Sequence, residues 1–339
     1  MDKKSQALII ILWILVILTV LAVSVGHRVA LALRLSRYQR EGLRAYYLAK
    51  SAVNLAIEKL LADNNSFDYL QEDWADNEDV FKENRIFGNE NEYITIGYLA
   101  DIDSEDMIYG VADESSRINI NEAPKEVLGA LFNECGLDSV TSDNLANEFL
   151  KWRGSLAVSE DEDLDYKTAV GYVYKKDKFI TPEEIDLLKG VQELDEGIVD
   201  RIKSLITVFG STKTLNINTA SAAALNIVAR SVVNSAEGTS DSDASFLSQQ
   251  IINSRLTDKY PFQNVDIAQM YIAFGVEQAT GPGKILSRLV SDGLIGVQSG
   301  FFRINASGVY NSVSKNISVV FYRHSPAASE SRIVWWHQN

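Results

Sequence analysis

The sequence predicts an α+β protein in which a long N-terminal transmembrane helix carries a small antiparallel sheet interrupted by a large helical insertion. Three observations predict this. The chain opens on one uncharged apolar run, alternating apolar residues stand near both ends of the remaining chain, and the text between them has helical spacing. At 339 residues there is room for two or three packing units.

From Ala7 to Val25 the chain reads ALIIILWILVILTVLAVSV, which at helical rise spans roughly 30 Å, the thickness of a bilayer core. No small-residue secretory cleavage site comes after it. Apolar residues continue at helical spacing through Leu60, so one helix is expected over residues 7–62. Its face of Val29, Leu33, Leu43, Val53, Ile57 and Leu60 is expected to pack against partner subunits. The run Asp63, Asn64, Asn65 ends the helix, because short Asx side chains favour turns.

In residues 63–117, EYITIGYLADI (Glu92 to Ile102) and MIYGVADESS (from Met107) read as two strands around the turn DSED. In residues 294–339, SGFFRINASGVYNSVSKNISVVFYRH alternates at Phe302, Ile304 and Ala306, then at Ile317, Val319 and Phe321, and reads as an antiparallel pair. Between them, residues 118–293 contain KEVLGALFNE, SDNLANEFLKWR, TPEEIDLLKGV, DEGIVDRIKSLI, SAAALNIVARSVV, SFLSQQIINSRL and VDIAQMYIAF, all helical in pattern.

A phrase recurs inside that insertion. Ile118 to Ala123 is ININ-Glu-Ala and Leu215 to Ala220 is LNIN-Thr-Ala. Each is expected to be a strand end followed by a cap, with Asn121, Asn218 and Thr219 accepting from the free amides of the next helix. Pro124 suits the start of its helix.

The net charge of −14 lies beyond the membrane segment, in QEDWADNEDV, DIDSED, SEDEDLD and ELDEG. A phosphate backbone needs a basic surface, so nucleic acid is excluded as a partner. The single Cys135 allows no internal disulfide, and His27, His324 and His337 have no transition-metal spacing. No nucleophile–base pair or phosphate loop is present, since TGPGK at Thr280 to Lys284 lacks the length of a P-loop. The chain is read as a non-enzyme. Asp113 and Glu114 beside Arg117 read as a strand-end ion pair, and Trp152 with Arg153 as core packing with a cation over the ring. Trp335 and Trp336 anchor the last segment either to the sheet or to a partner.

In order, DESSRININEAPKEVLGAL, LANEFLKWR, FITPEEIDLLKGV, LNINTASAAAL, VVFYR and the tail VWWHQN resemble the general secretion pathway protein K family, the large minor pseudopilins of type II secretion systems. The resemblance covers nearly the whole chain. It implies a pilin-like sheet with an inserted helical domain of the SAM-like or helix-hairpin-helix-like kind. It implies a subunit at the tip of a periplasmic fibre, partnered by the I- and J-type minor pseudopilins, and by the prepilin peptidase and the inner-membrane assembly platform. The chain would be single-pass in the inner membrane, in contact with membrane lipid, with its bulk in the periplasm. A count of Lys3 and Lys4 against Arg28, Arg34, Arg37, Arg40 and Arg44 points the other way.

Residues 1–6 would be a prepilin-type leader cut between Ser5 and Gln6, with Ser standing where the family has Gly. Ile10 takes the place at which most pilin-like subunits carry Glu. The family also implies Ca²⁺, for which Glu160, Asp161, Glu162, Asp163 and Asp165 supply oxygens, although Gly154 replaces the Asp that follows Trp-Arg in relatives. The alternatives are a minor pilin of a type IV pilus and a membrane-anchored helix-hairpin-helix binding protein.

Overall fold

Helix α1, Lys3–Ala62, runs for 60 residues, about 90 Å at helical rise. A computed structural model describes residues 3–86, 88, 90–99, 106–257, 260–324 and 330–338, with the side chains of residues 3–7 and 9 outside the described part. The described side chains up to Arg40 are exposed. From Ala45 onward one face is buried, and the helix ends where Asn64 Nδ2 donates to the Ala62 carbonyl at 3.0 Å. Helix α2, Glu78–Phe81, is short and capped by the Asn77 side chain.

Strand β1, Glu92–Ile96, stops at Gly97, and β2, Tyr98–Leu99, pairs instead with β3, Met107–Ile108. The strand expected from Glu92 to Ile102 is therefore broken, and residues 100–105 lie outside the described part. A Cβ on Gly97 would stand 2.8 Å from the Ile108 carbonyl oxygen, so the close approach of these backbones needs glycine. Strand β4, Ala112–Asp113, joins the main sheet, and a 3-10 turn leads to β5, Ile118–Asn119.

The insertion consists of two successive units. In the first, β5 is followed by α3 (Lys125–Glu134), α4 (Ser139–Trp152), α5 (Glu160–Val170), α6 (Lys189–Gln192) and α7 (Glu196–Leu205), and closes by pairing in parallel with β6 (Ile206–Thr207). In the second, β7 (Leu215–Asn216) is followed by α8 (Ala222–Ser231), α9 (Asp241–Ser254), α10 (Ile267–Phe274) and α11 (Gly281–Ser291), and closes in parallel with β8 (Ile295–Gly296). Their apolar faces share one core that also takes in Leu294, Ile295 and Val297, so the insertion closes at 297, beyond the expected edge at 293.

Two of these helices escape a reading of periodicity. Helix α5 is the acidic run itself, held by a capping box between Ser159 and Glu162 and burying only Tyr166. Helix α11 begins with Gly-Pro-Gly behind the Thr280 cap, text that reads as a loop. TPEEIDLLKGV forms a 3-10 turn at Pro182–Leu187 before α6.

Strands β9 (Phe301–Tyr310) and β10 (Val313–Tyr322) form the expected antiparallel pair, and β11 (Arg332–Gln338) adds to the edge, giving the order β1-β9-β10-β11 with β4 also on β9. Phe302, Ile304, Ile317, Val319 and Phe321 on one face of this sheet meet Leu48, Ala49, Ala52, Val53, Ala56 and Leu60 of α1, forming the second core. Small residues let helix and sheet approach closely. A Cβ on Gly308 would lie 2.3 Å from both the Ala45 carbonyl oxygen and the Ala49 amide nitrogen.

Gly308→Ala should cost about 1–3 kcal/mol by overpacking. Gly129→Ala, in the open middle of α3, should stabilise by about 0.5–1 kcal/mol. Urea denaturation of the two variants in detergent checks both signs.

Candidate functional site: the junction of sheet and insertion

The Asn-Ile-Asn phrases do not cap helices. Helix α3 starts at Pro124 with no side-chain cap, and α8 is capped by Ser221, whose Oγ accepts from Ala224 N at 3.2 Å. Asn121 instead reaches across its unit. Its Oδ1 accepts from Phe179 N at 2.8 Å, and its Nδ2 donates to the Phe179 and Val208 carbonyls at 2.9 Å each. Asn218 holds Phe262 in the same way, at 3.0 Å from its amide and 2.9 Å from its carbonyl. The preceding asparagines, Asn119 and Asn216, each accept from the amide two residues on, at 3.1 and 2.9 Å.

An arginine completes each unit. Arg153, just after α4, donates to the Ile120 carbonyl and to the Ala123 carbonyl at 2.8 Å, and Arg255, just after α9, donates to those of Ile217 and Ala220 at 2.5 and 2.7 Å. Burial pulls both guanidinium pKa values down, that of Arg255 to about 10. The arginine of the Trp-Arg pair thus serves backbone carbonyls, while Trp152 stacks on Phe179 at 6.4 Å. Each unit is one device: an Asn clamp, an Arg tie and a closing parallel strand.

Both units meet the sheet at Asp113 and Glu114. These are buried, at 4% and 1% exposure, and of the expected strand-end ion pair the structure shows Glu114 with Arg117 at 3.5 Å. Asp113 Oδ2 accepts from Thr219 Oγ1 at 2.5 Å, Ser299 Oγ at 2.6 Å and Asn216 Nδ2 at 3.3 Å, all groups of the second unit or of the segment that leaves it. Thr219 is therefore a fastener to the sheet and no cap. Glu114 accepts from Thr207 of the first unit and from Arg303 Nε of β9 at 2.5 Å, with Arg117 at 3.5 Å. Burial raises the Asp113 carboxyl to about 6. Burial also acts on Glu114, but Arg303 and Arg117 outweigh it and hold that carboxyl below its ordinary value.

A second knot lies alongside. Arg323 at the end of β10 donates to Asp63 Oδ2 at 2.7 Å and to Asp68 Oδ1, and Asp68 Oδ2 accepts from Ser299 N at 2.7 Å. Glu72 accepts from Asn65, from Tyr69 N at 3.2 Å and from Trp74 Nε1 at 2.7 Å. Asp63, Asp68 and Glu72 form the group of acidic residues, among the described ones, whose oxygens converge within 4.8 Å. Those oxygens are already taken by Arg323 and by N–H donors.

The acidic stretch expected to hold Ca²⁺ does not fit that ion. Glu160, Asp161, Glu162, Asp163 and Asp165 turn around the start of α5 without converging. Glu162 pairs with Lys151 at 2.8 Å and Asp163 with Lys176, so two of the five already have cations. Ca²⁺ takes six to eight oxygens in one shell.

The expected partner face of α1 divides. Val29, Leu33 and Leu43 are more than half exposed, whereas Val53 and Leu60 are buried beneath this chain's own sheet and Ile57 is half-buried there. Ser5 and Gln6 have side chains outside the described residues, and Ile10 is exposed on the apolar segment. Trp335 faces inward, with the Arg303 guanidinium 5.5 Å above its ring and Phe209 of the insertion 6.4 Å away, so it anchors the last strand to the sheet and to the insertion. Trp336 is exposed.

No protein-family model matches the chain, and no curated protein matches it. A solved structure does. A chain of the GspK–GspI–GspJ complex from the type 2 secretion system of enterotoxigenic Escherichia coli superposes with a TM-score of 0.65 at 16% identity, over 90% of this chain and 99% of that one. The chain has the GspK-like fold. At this identity the likeness is one of fold, with which the mixed helix–sheet architecture and antiparallel sheet are consistent. Helix α1 is long and apolar enough to cross a membrane.

The matched clamps give a matched expectation. Asn121→Ala and Asn218→Ala should each destabilise by about 2–4 kcal/mol, because each leaves buried backbone groups of Phe179 or Phe262 unpaired. Chemical denaturation checks the size, and hydrogen exchange at the two phenylalanines checks the location.

Proposed function

We propose that the chain is a minor pseudopilin of a type II secretion system, placed at the tip of the pseudopilus with two other minor pseudopilins, and that it supports protein export across the outer membrane. The fold likeness to a chain of the GspK–GspI–GspJ complex carries this reading. Three features support it. Helix α1 is apolar on every side over its first part and meets its own sheet hairpin from Glu41 onward, where Asn311 Nδ2 donates to Glu41 Oε1 at 3.1 Å, which leaves Val29 and Leu33 exposed for neighbouring helices. The insertion broadens the head and is fixed to the sheet by buried polar contacts, so it is a rigid part of the subunit. Ile10 in place of Glu keeps an unpaired charge out of the hydrocarbon in a subunit with no neighbour above it.

In this reading the bulk is periplasmic, the inner-membrane assembly platform lifts the subunit, and the prepilin peptidase cuts between Ser5 and Gln6. Co-expression of the full chain with the two neighbouring pseudopilin-like proteins, followed by native mass spectrometry in detergent, should give a complex with one copy of each. Intact mass after co-expression with the peptidase should show an N-terminus at Gln6. A monomer indifferent to every pilin-like partner would overturn the assignment.

A further inference from the structure

The two units differ at one polar position of their shared phrase, for Glu122 of the first stands where the second has Thr219. In the first unit the Glu122 carboxylate faces the Arg153 tie. All three nitrogens of that guanidinium are in use, Nε on Ser155 Oγ at 2.9 Å and the other two on the Ile120 and Ala123 carbonyls. In the second unit Thr219 is taken by Asp113, and the ionisable group facing Arg255 is Tyr260. Nε and Nη2 of Arg255 serve the Ile217 and Ala220 carbonyls, while Nη1 has no hydrogen bond among the described residues. A largely buried guanidinium with N–H groups to spare and no carboxylate beside it favours an anion from outside.

There is room for one. Arg255 lines a cavity of about 500 Å³ between the second unit at Thr219, the end of α7 at Leu205 and the β2–β3 hairpin at Tyr98 and Leu99. That size falls within the roughly 300–1,000 Å³ of small-ligand sites, which favour boundaries between domains. Arg117 lines the same cavity. Its contact with Glu114 Oε1 is long, at 3.5 Å, because Arg303 holds that oxygen at 2.5 Å, and its Nε and Nη2 have no hydrogen bond among the described residues. The Tyr98 hydroxyl is a third donor on the wall without a partner among them. Asp113 is the one carboxylate among the described lining residues, and its oxygens are filled by Ser115 N, Thr219, Ser299 and Asn216. Two guanidinium charges against one carboxylate leave a single positive charge, which matches a monoanion whose oxygens only accept. Leu70, Leu99 and Leu205 give the rest of the wall an apolar character, which suits an organic acid better than a hydrated inorganic ion.

We propose that this cavity binds an organic monocarboxylate, with the carboxylate on Arg255 Nη1 and Arg117 and the apolar part against Leu70, Leu99 and Leu205. The inference stands apart from the secretion role. The carboxylate comes from one of two sources, a free small acid or the C-terminus of a peptide, and both present the same group to the arginines.

Calorimetric titration of the full chain in detergent tests this with benzoate against benzamide, with acetyl-Ala-Phe as free acid against its C-terminal amide, and with inorganic phosphate. At least one of the two acids should bind one to one, about tenfold or more tighter than its own amide and than phosphate. Binding of benzoate alone identifies a small acid, and binding of the peptide acid identifies a chain terminus; either supports the site. Arg117→Gln should weaken the binding about tenfold and Tyr98→Phe severalfold. The proposal is overturned if neither acid binds at about 10 mM, if amide or phosphate binds as well as the acids, or if Arg117→Gln leaves the affinity unchanged. Should Arg117→Gln not fold, Tyr98→Phe decides, since it removes only a hydroxyl: weaker binding supports the site and equal binding refutes it.

Discussion

The architecture depends on one buried dipeptide. Asp113 and Glu114 stand where the sheet hands the chain to the insertion, and each carboxylate fastens one unit, Asp113 the second through Thr219 and Asn216, Glu114 the first through Thr207. A buried carboxylate without partners is strongly destabilising, so the partners cannot drift without exposing the cost. The junction thereby fixes the position of a helical body larger than the sheet that carries it. Arg303 links the same point to the last strand, since it binds Glu114 and covers Trp335.

The insertion gains its own rigidity by using a single solution twice. In each unit an asparagine grips a distant phenylalanine backbone and an arginine ties the carbonyls on either side of the Asn. These polar groups are satisfied across long sequence separations, which suits short strands that have only one parallel neighbour to pair with. Helix propensity then needs to supply little, and helices as unpromising as α5 and α11 are held by their caps and by the core.

Much of this was legible in the residues. The apolar run, the β9–β10 alternation and the helices at Lys125–Glu134 and Glu196–Leu205 follow from periodicity, which burial against one partner enforces. The repeat was legible as a repeat, and its chemistry was not. Asn before a helix has the same text whether it caps that helix or clamps a segment 58 residues away, as Asn121 does. A usable signal was present in the arginine after the second helix of each unit and the phenylalanine beyond it. Asp113 and Glu114 were legible as a strand-end ion pair with Arg117, and only the fold shows that the insertion closes over them and supplies their other partners. The acidic run at Glu160 to Asp165 was not legible as a helix because its apolar content is too low to show a face.

A double-mutant cycle tests the division of labour at the junction most directly. Asp113→Asn paired with Thr219→Val, and Glu114→Gln paired with Thr207→Val, are compared with the two crossed pairings by equilibrium unfolding. The account predicts coupling of about 1–3 kcal/mol within each pair and near-additivity across them. Additivity within both pairs, or equal coupling in all four combinations, would contradict it.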